Sequence, residues 1–244
     1  MKAAVIVVAA LLVTTPAAAQ SGSQARVYVT GDGLYQALFD PFSKRSTFPL
    51  FHETGTFSAV YPAGKSPAFA GGLAIRLWKS VSLGAMVTRV QTQTDATVEG
   101  EIPHPFFFDR HRSIRGTAGQ IQRDERAAHL QLRVIVPVTR RFDLSVFGGP
   151  SRWQVEQDRI ASVDYVSEYP FDTARLTGVV LSRAEGMTWG YNAGIDASLY
   201  LTNHVGVGGL LLIATANPDE DPTATTADTR IGGLRAGGGI RLRF

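Results

Sequence analysis

The 244-residue chain has no cysteine and little charge, with Asp, Glu, Lys and Arg together making up 18% of it. Without thiols, an exported chain cannot be a disulfide-stapled scaffold. Long helical periodicity is missing, and no apolar run approaches the ~20 residues a membrane-crossing helix needs. A helical membrane protein is therefore excluded. Neither sign of charge dominates either: 24 Lys+Arg against 21 Asp+Glu leave +3, too small a surplus to argue for a nucleic-acid partner.

The chain opens with MKAAVIVVAALLVTTPAAAQ, which reads as a secretory signal peptide over residues 1–19. Lys2 supplies the positive start, Ala3 to Val13 the apolar stretch, and Ala17, Ala18 and Ala19 the small-residue cleavage site. Cleavage would leave Gln20 at the start of a single domain over residues 20–244.

Within that domain, apolar and polar residues alternate with a period of two between Gly, Pro, Asn and Asp, as half-buried strands do. Ala128, Leu130, Leu132, Val134, Val136 and Val138 share one face, while His129, Gln131, Arg133 and Ile135 share the other. Trp189, Tyr191, Ala193, Ile195, Ala197, Leu199 and Leu201 alternate in the same way with Asn192, Asp196 and Tyr200. Eight strands are expected, near 25–37, 68–78, 81–98, 117–138, 142–157, 185–201, 205–216 and 228–244. Three connections are very short, at 79–80, 139–141 and 202–204. Four are long, near 38–67, 99–116, 158–184 and 217–227, and the two kinds alternate. GDGLYQ at 31–36 belongs to the first strand: Gln36 stands where a nucleotide loop needs its third glycine, and no helix pattern follows.

Even strand number, tight turns on one side and long loops on the other match an all-β, closed, antiparallel, eight-stranded transmembrane β-barrel with periplasmic turns and outer loops. A sheet in hydrocarbon must close, because open edges leave backbone groups unsatisfied. The last strand, with Ile240, Leu242 and Phe244 alternating with Arg241 and Arg243, is expected to pair with the first and seal the ring. Aromatic residues near strand ends, namely Tyr28, Trp78, Phe142, Trp153, Trp189, Tyr200 and Phe244, are expected at the membrane boundary. The alternative is an exported soluble barrel or sandwich, whose aliphatic rows would meet in one dry core.

FGGPS at 147–151, GYNAGIDASLYLTNHVGVGGLL at 190–211 and the closing GGLRAGGGIRLRF resemble the outer-membrane β-barrel domain family of bacterial envelope proteins. The resemblance implies an eight-stranded outer-membrane protein of the Gram-negative type and no single activity. It also implies surroundings of outer-membrane lipid, with Ile240, Leu242 and Phe244 as the closure signal presented to the barrel-assembly machinery.

Arg76, His129, Gln131, Arg133, Asp143, Asn192, Asp196, Arg235, Arg241 and Arg243 are expected to point into the lumen. An eight-stranded barrel is only wide enough for its own side chains. A salt-bridged plug is therefore expected ahead of a narrow anion-favouring pore, and the arginine excess keeps the pore open as an alternative. Glycines at 237–239 are expected to make room for the long side chains.

PHPFFFDRHRSIR at 103–115 is the most distinctive outer loop. Phe106, Phe107 and Phe108 beside Arg110, Arg112 and Arg115 form a candidate surface contact, with arginines able to pair with lipopolysaccharide phosphates and the aromatics expected to pack on the stiff hairpin that two middle strands, longer than the ~9–11 residues of a crossing, should project beyond the surface. His104, Asp109 and His111 match no standard metal spacing. The His111–Ser113 spacing resembles that of outer-membrane lipid A deacylases, so a lipid-modifying enzyme using His111 or His129 is a third alternative. A non-enzymatic barrel needing no cofactor or metal, with a structural or surface-interaction role, is the reading carried forward.

Overall fold

Alternation of small, β-branched and aromatic residues favours pleated strands throughout, and the computed structural model of the chain bears this out over residues 25–37, 42–62, 65–216 and 231–244, the segments it describes. The signal peptide expected at 1–19 and the loop expected at 217–227 fall outside the described residues. Ten strands follow in order: β1 (Val27–Ala37), β2 (Phe42–Leu50), β3 (Glu53–Tyr61), β4 (Lys65–Trp78), β5 (Val81–Pro103), β6 (His111–Pro137), β7 (Phe142–Val166), β8 (Arg175–Tyr200), β9 (Val205–Ala216) and β10 (Ile231–Arg243). Among the described residues no helix is long and apolar enough to cross a membrane.

Eight of these strands close a ring. Going round it, β1 pairs with β4, then β5, β6, β7, β8, β9 and β10, and β10 returns to β1, every pair antiparallel. The seam runs from Tyr28 opposite Arg243 to Ala37 opposite Leu234. No strand edge is left open around the ring, which is the condition for placing a sheet in hydrocarbon.

The outer wall is oily. Leu73, Ile75, Leu77, Leu83, Val87, Leu130, Leu132, Val134, Val136, Ile195, Leu199, Val207, Leu211, Ile213 and Ile240 are all exposed. The interior holds His129, Gln131, Arg133, Asp143, Asn192, Asp196, Arg235, Arg241 and Arg243, all buried. Polarity is thus inverted relative to a soluble sandwich.

The interior is not uniformly ionic. Towards the end remote from the chain termini, Leu34, Met86, Phe147, Trp153, Leu210 and Leu212 form an apolar plug. Three expected girdle residues also sit inside: Tyr28 is 5% exposed, Trp153 0% and Tyr200 2%. Their strand parity explains the correction, since Tyr28 shares a face with Asp32, Trp153 with Ser151 and Tyr200 with Asp196. The exposed aromatics that flank the oily belt are Tyr35, Phe69, Trp189 and Tyr191 at one end and Trp78 and Phe244 at the other.

The expected long loops at 99–116 and 158–184 are largely strand. β5 and β6 stay paired from Val81–Val134 out to Pro103–His111, and β7 and β8 out to Val166–Arg175. A crossing takes only ~9–11 residues, so most of the 27 residues of β6 stand outside the bilayer. The loop expected at 38–67 contains the β2–β3 hairpin, and β3 adds to β5 from Thr56–Glu101 to Val60–Thr97.

A second apolar core outside the membrane holds these extensions together. Phe57, Ala59, Val98, Ala118, Ile121 and Ile160 pack with Leu176 and Val179, so the upper β7–β8 hairpin lies over the sheet of β3, β5 and β6. Gly116 permits this close approach, because a Cβ there would lie 2.6 Å from Leu176 Cδ2. Burial in this core pushes the Tyr61 phenol up, while burial and neighbouring Arg159 push the Lys44 ammonium down.

Candidate functional site

Of the ten residues expected to point inward, nine are buried and Arg76 is half-buried. Nearest the short turns, the Arg76 guanidinium donates to the Tyr28 hydroxyl and lies 5.3 Å from its ring centroid. Arg243 lies 3.7 Å over the Tyr200 ring and pairs with Asp143 at 3.4 Å. One layer further in, Arg241 is clamped between Asp32 and Asp196, each at 2.7 Å. That triad ties β1, β8 and β10 together.

The middle layer is a hydrogen-bonded belt. Arg133 lies 4.8 Å over the Phe147 ring and donates to Gln131 Oε1 at 3.3 Å. Gln131 donates to Asn192 Oδ1 at 3.2 Å, and Asn192 donates to Ser151 Oγ at 2.9 Å. His129 bridges Ser151 Oγ at 2.7 Å and Thr88 Oγ1 at 3.0 Å. Above it, Arg235 donates to Thr88 Oγ1 at 2.6 Å and to Gln36, stacks 5.1 Å over Trp153, and lies 3.5 Å from Glu125. Glu125 also takes Arg123 at 2.6 Å.

Inward charge is therefore largely compensated. Asp32 and Glu125 are the acids that sequence reading missed, and the GDG triplet around Asp32 placed it on the same face as Tyr28 and Leu34 without indicating its partner. A buried charge is tolerable when it is paired: Arg235, Arg241 and Arg243 each meet a carboxylate, whereas Arg133 is held by the Phe147 ring and Gln131. The void between Tyr28, Arg133, Asp143, Asp196 and Arg241 is about 20 Å³, room for a water and little more.

The glycines act differently from expectation. Gly237 and Gly239 face inward, but a Cβ on either would overlap the backbone of β1, at the carbonyl oxygens of Gly33 and Gly31. They allow the seam strands to approach. Space for Arg241 comes from Gly208, where a Cβ would lie 2.7 Å from Arg241 Nε.

His129 and Ser151, a buried pair with the residue types of a base and a nucleophile, are 2% and 1% exposed. The other ring nitrogen of His129 meets Thr88 rather than a carboxylate. His111 and Ser113 lie on β6 opposite Pro103 and Glu101, in the extension beyond the membrane.

The distal tip is built from the turn between β5 and β6 and residues following β7. Phe106, Phe107 and Phe108 are 70%, 55% and 72% exposed, so packing on the neighbouring hairpin covers them only in part. Phe106 meets Phe171 edge-on at 5.5 Å, and Tyr169 stacks edgewise on Phe171 at 6.1 Å. His104 braces the turn: its Nδ1 accepts the amides of Phe106 and Phe107 at 3.1 and 3.3 Å.

The three tip arginines separate. Arg110 lies 5.4 Å over the Phe107 ring and pairs with Asp172 at 2.9 Å, and Arg115 pairs with Glu99 at 3.0 Å. Arg112 is 4% exposed and donates to Ser167 Oγ and the carbonyls of Phe171 and Pro103. It is a structural strut rather than a surface contact. Between Ala127 and His111, β6 runs on the order of 50 Å at ~3.3 Å per residue, which sets the tip well away from the oily belt.

No protein-family model matches the chain, and no curated protein is similar to it in sequence. Solved structures do resemble it. The outer membrane protein OprG from Pseudomonas aeruginosa is 11% identical, with 91% of this chain and 98% of that one covered at a TM-score of 0.45. Neisserial surface protein A (NspA) is 11% identical, covering 89% and 97% at 0.42. Ail, the attachment invasion locus protein of Yersinia pestis, solved in complex with the heparin analogue sucrose octasulfate, is 8% identical, covering 89% and 99% at 0.40. Likeness this loose carries no activity across. The unbroken ring of ladders, the oily outer wall and the paired ions within make the chain a closed, antiparallel, eight-stranded transmembrane β-barrel of the outer-membrane type.

Proposed function

We propose that the protein is a non-enzymatic outer-membrane barrel whose work is surface contact, made by the tip of its projecting hairpins. One observation carries this reading: Phe106, Phe107, Phe108 and Tyr169 stand exposed at the tip of the projecting hairpins. Contiguous exposed aromatics on a soluble surface mark interaction sites. His104, Arg112 and Asp172 hold the tip in one shape, which lowers the ordering cost of binding.

The filled lumen supports a structural barrel over a solute pore, and the lack of a carboxylate on His129 supports a non-catalytic one. Bacteria displaying the wild-type chain are compared with a Phe106→Ser, Phe107→Ser, Phe108→Ser variant for autoaggregation and adhesion to immobilised protein layers. Loss of adhesion with equal surface amounts is expected. Unchanged adhesion, or single-channel steps in planar bilayers that depend on the wild-type chain, would overturn the reading.

A further inference from the structure

At the outer edge of the oily belt the wall carries a feature unrelated to the tip. Phe69, Arg89, Arg126, Gln154 and Met187 are successive cross-strand partners from β4 to β8. The neighbouring row towards the short turns reads Gly71, Val87, Ala128, Arg152 and Trp189. Gly71 and Ala128 are small, so an apolar depression of about 640 Å³ opens between Phe69, Val87 and Met187. A polar hollow of about 460 Å³ adjoins it and shares Arg89 and Arg126. Oil below and charge above is the polarity of a lipid in that leaflet.

The charges are layered. Asp124 takes Arg89 at 2.7 Å and Arg126 at 3.1 Å, while Glu156 takes Arg183 and lies 4.0 Å from Arg126. The carboxylate side chains are only 13% and 16% exposed, whereas Arg89, Arg126 and Arg183 are 49%, 47% and 59% exposed. The acids lie underneath and hold the guanidiniums outward, each with donors to spare. Arg152 joins them, 5.1 Å over the Trp189 ring. Asp158 also lines the polar hollow and exposed Glu185 stands opposite Glu156, so the face carries both signs, with its guanidiniums pre-ordered and turned outward.

We propose that this wall binds the phosphorylated, multiply acylated glycolipid of the outer leaflet, with its phosphates on Arg89, Arg126, Arg152 and Arg183 and an acyl chain in the depression. The four arginines come from β5, β6, β7 and β8, and three strand spacings of ~4.8 Å span roughly 14 Å. That spread exceeds one phosphate and suits a headgroup carrying two. Arg–phosphate pairs are bidentate and charge-assisted. The inference rests on the transmembrane orientation and is independent of the surface-contact reading.

The test uses the full mature chain in mild detergent, titrated with bisphosphorylated lipid A and followed by native mass spectrometry. The variant Arg89→Gln, Arg126→Gln, Arg152→Gln should bind about a hundredfold more weakly, as three near-surface cations each contribute roughly fivefold. Arg115→Gln, at the tip, should bind as wild type. In parallel, the wild-type chain is titrated with the same glycolipid stripped of its phosphates, and with phosphatidylglycerol. Weak binding of both supports the site even if the triple variant fails to fold. Undiminished binding of the stripped glycolipid, equal binding of phosphatidylglycerol, or a folded triple variant with wild-type affinity would overturn it.

Discussion

The backbone amide of Phe244 donates to the carbonyl of Val27 at 2.9 Å, and the Phe244 carbonyl accepts the amides of Arg26 and Val27. The terminal residue thus ties the last strand to the first, while its ring stacks against His204 at 5.9 Å. Deleting Phe244 removes three backbone bonds worth about 0.5–1.5 kcal/mol each. The heat-modifiable folded band on a gel is expected to weaken sharply, and Phe244→Leu, which keeps the backbone, should weaken it less.

Arg241 sits between two buried carboxylates. Arg241→Met removes the cation that bridges Asp32 and Asp196, a loss of about 3–5 kcal/mol. Urea unfolding in micelles measures it, with the midpoint falling at unchanged slope. Adding Asp32→Asn and Asp196→Asn to the same variant should recover most of the loss. No recovery would mean that the arginine matters through packing rather than charge.

Glycines that look alike in sequence should respond oppositely. A Cβ at Gly239 would overlap the Gly31 carbonyl, whereas one at Gly31 or Gly33 meets nothing within 4 Å. Gly239→Ala should therefore impair refolding into vesicles, while Gly31→Ala and Gly33→Ala should refold as wild type. Refolding yield by gel shift distinguishes them.

Much of this was legible in the residues because strand parity is local. The alternation around His129, Gln131 and Arg133 was enough to put them on one face, and Ile240, Leu242 and Phe244 on the other. Partnership is not local: Arg235 and Glu125 lie 110 positions apart, and only ring closure brings them together. Alternation also says nothing about which polar-looking segments find a strand partner, so the outermost parts of the extensions, at 99–103, 111–116, 158–166 and 175–184, and the β2–β3 hairpin read as loops. Tyr28, Trp153 and Tyr200 were misplaced because aromatic character was read ahead of parity. The arginine wall was overlooked because its members come from four strands.

Acid should spare the Arg89–Asp124 pair longer than ordinary surface pairs. The hydrogen bond from Arg89, followed by that from Arg126, holds the Asp124 carboxyl below the usual carboxylate range. A carboxyl depressed in the folded state contributes stability above its ordinary pKa and loses it only as pH falls through the depressed value. Carboxyl carbon NMR in micelles should find Asp124 still ionised where exposed acids have protonated. Arg89→Gln should raise its titration midpoint.

The most direct measurement of whether oil faces outward uses the three tryptophans. Trp78 and Trp189 are 71% and 63% exposed on the wall, while Trp153 is fully buried inside. Single-tryptophan variants, with the other two replaced by phenylalanine, are refolded into vesicles of brominated lipid. Strong quenching of Trp78 and Trp189 with little of Trp153 is expected. Strong quenching of Trp153, or shielding of the other two, would contradict the inside-out barrel.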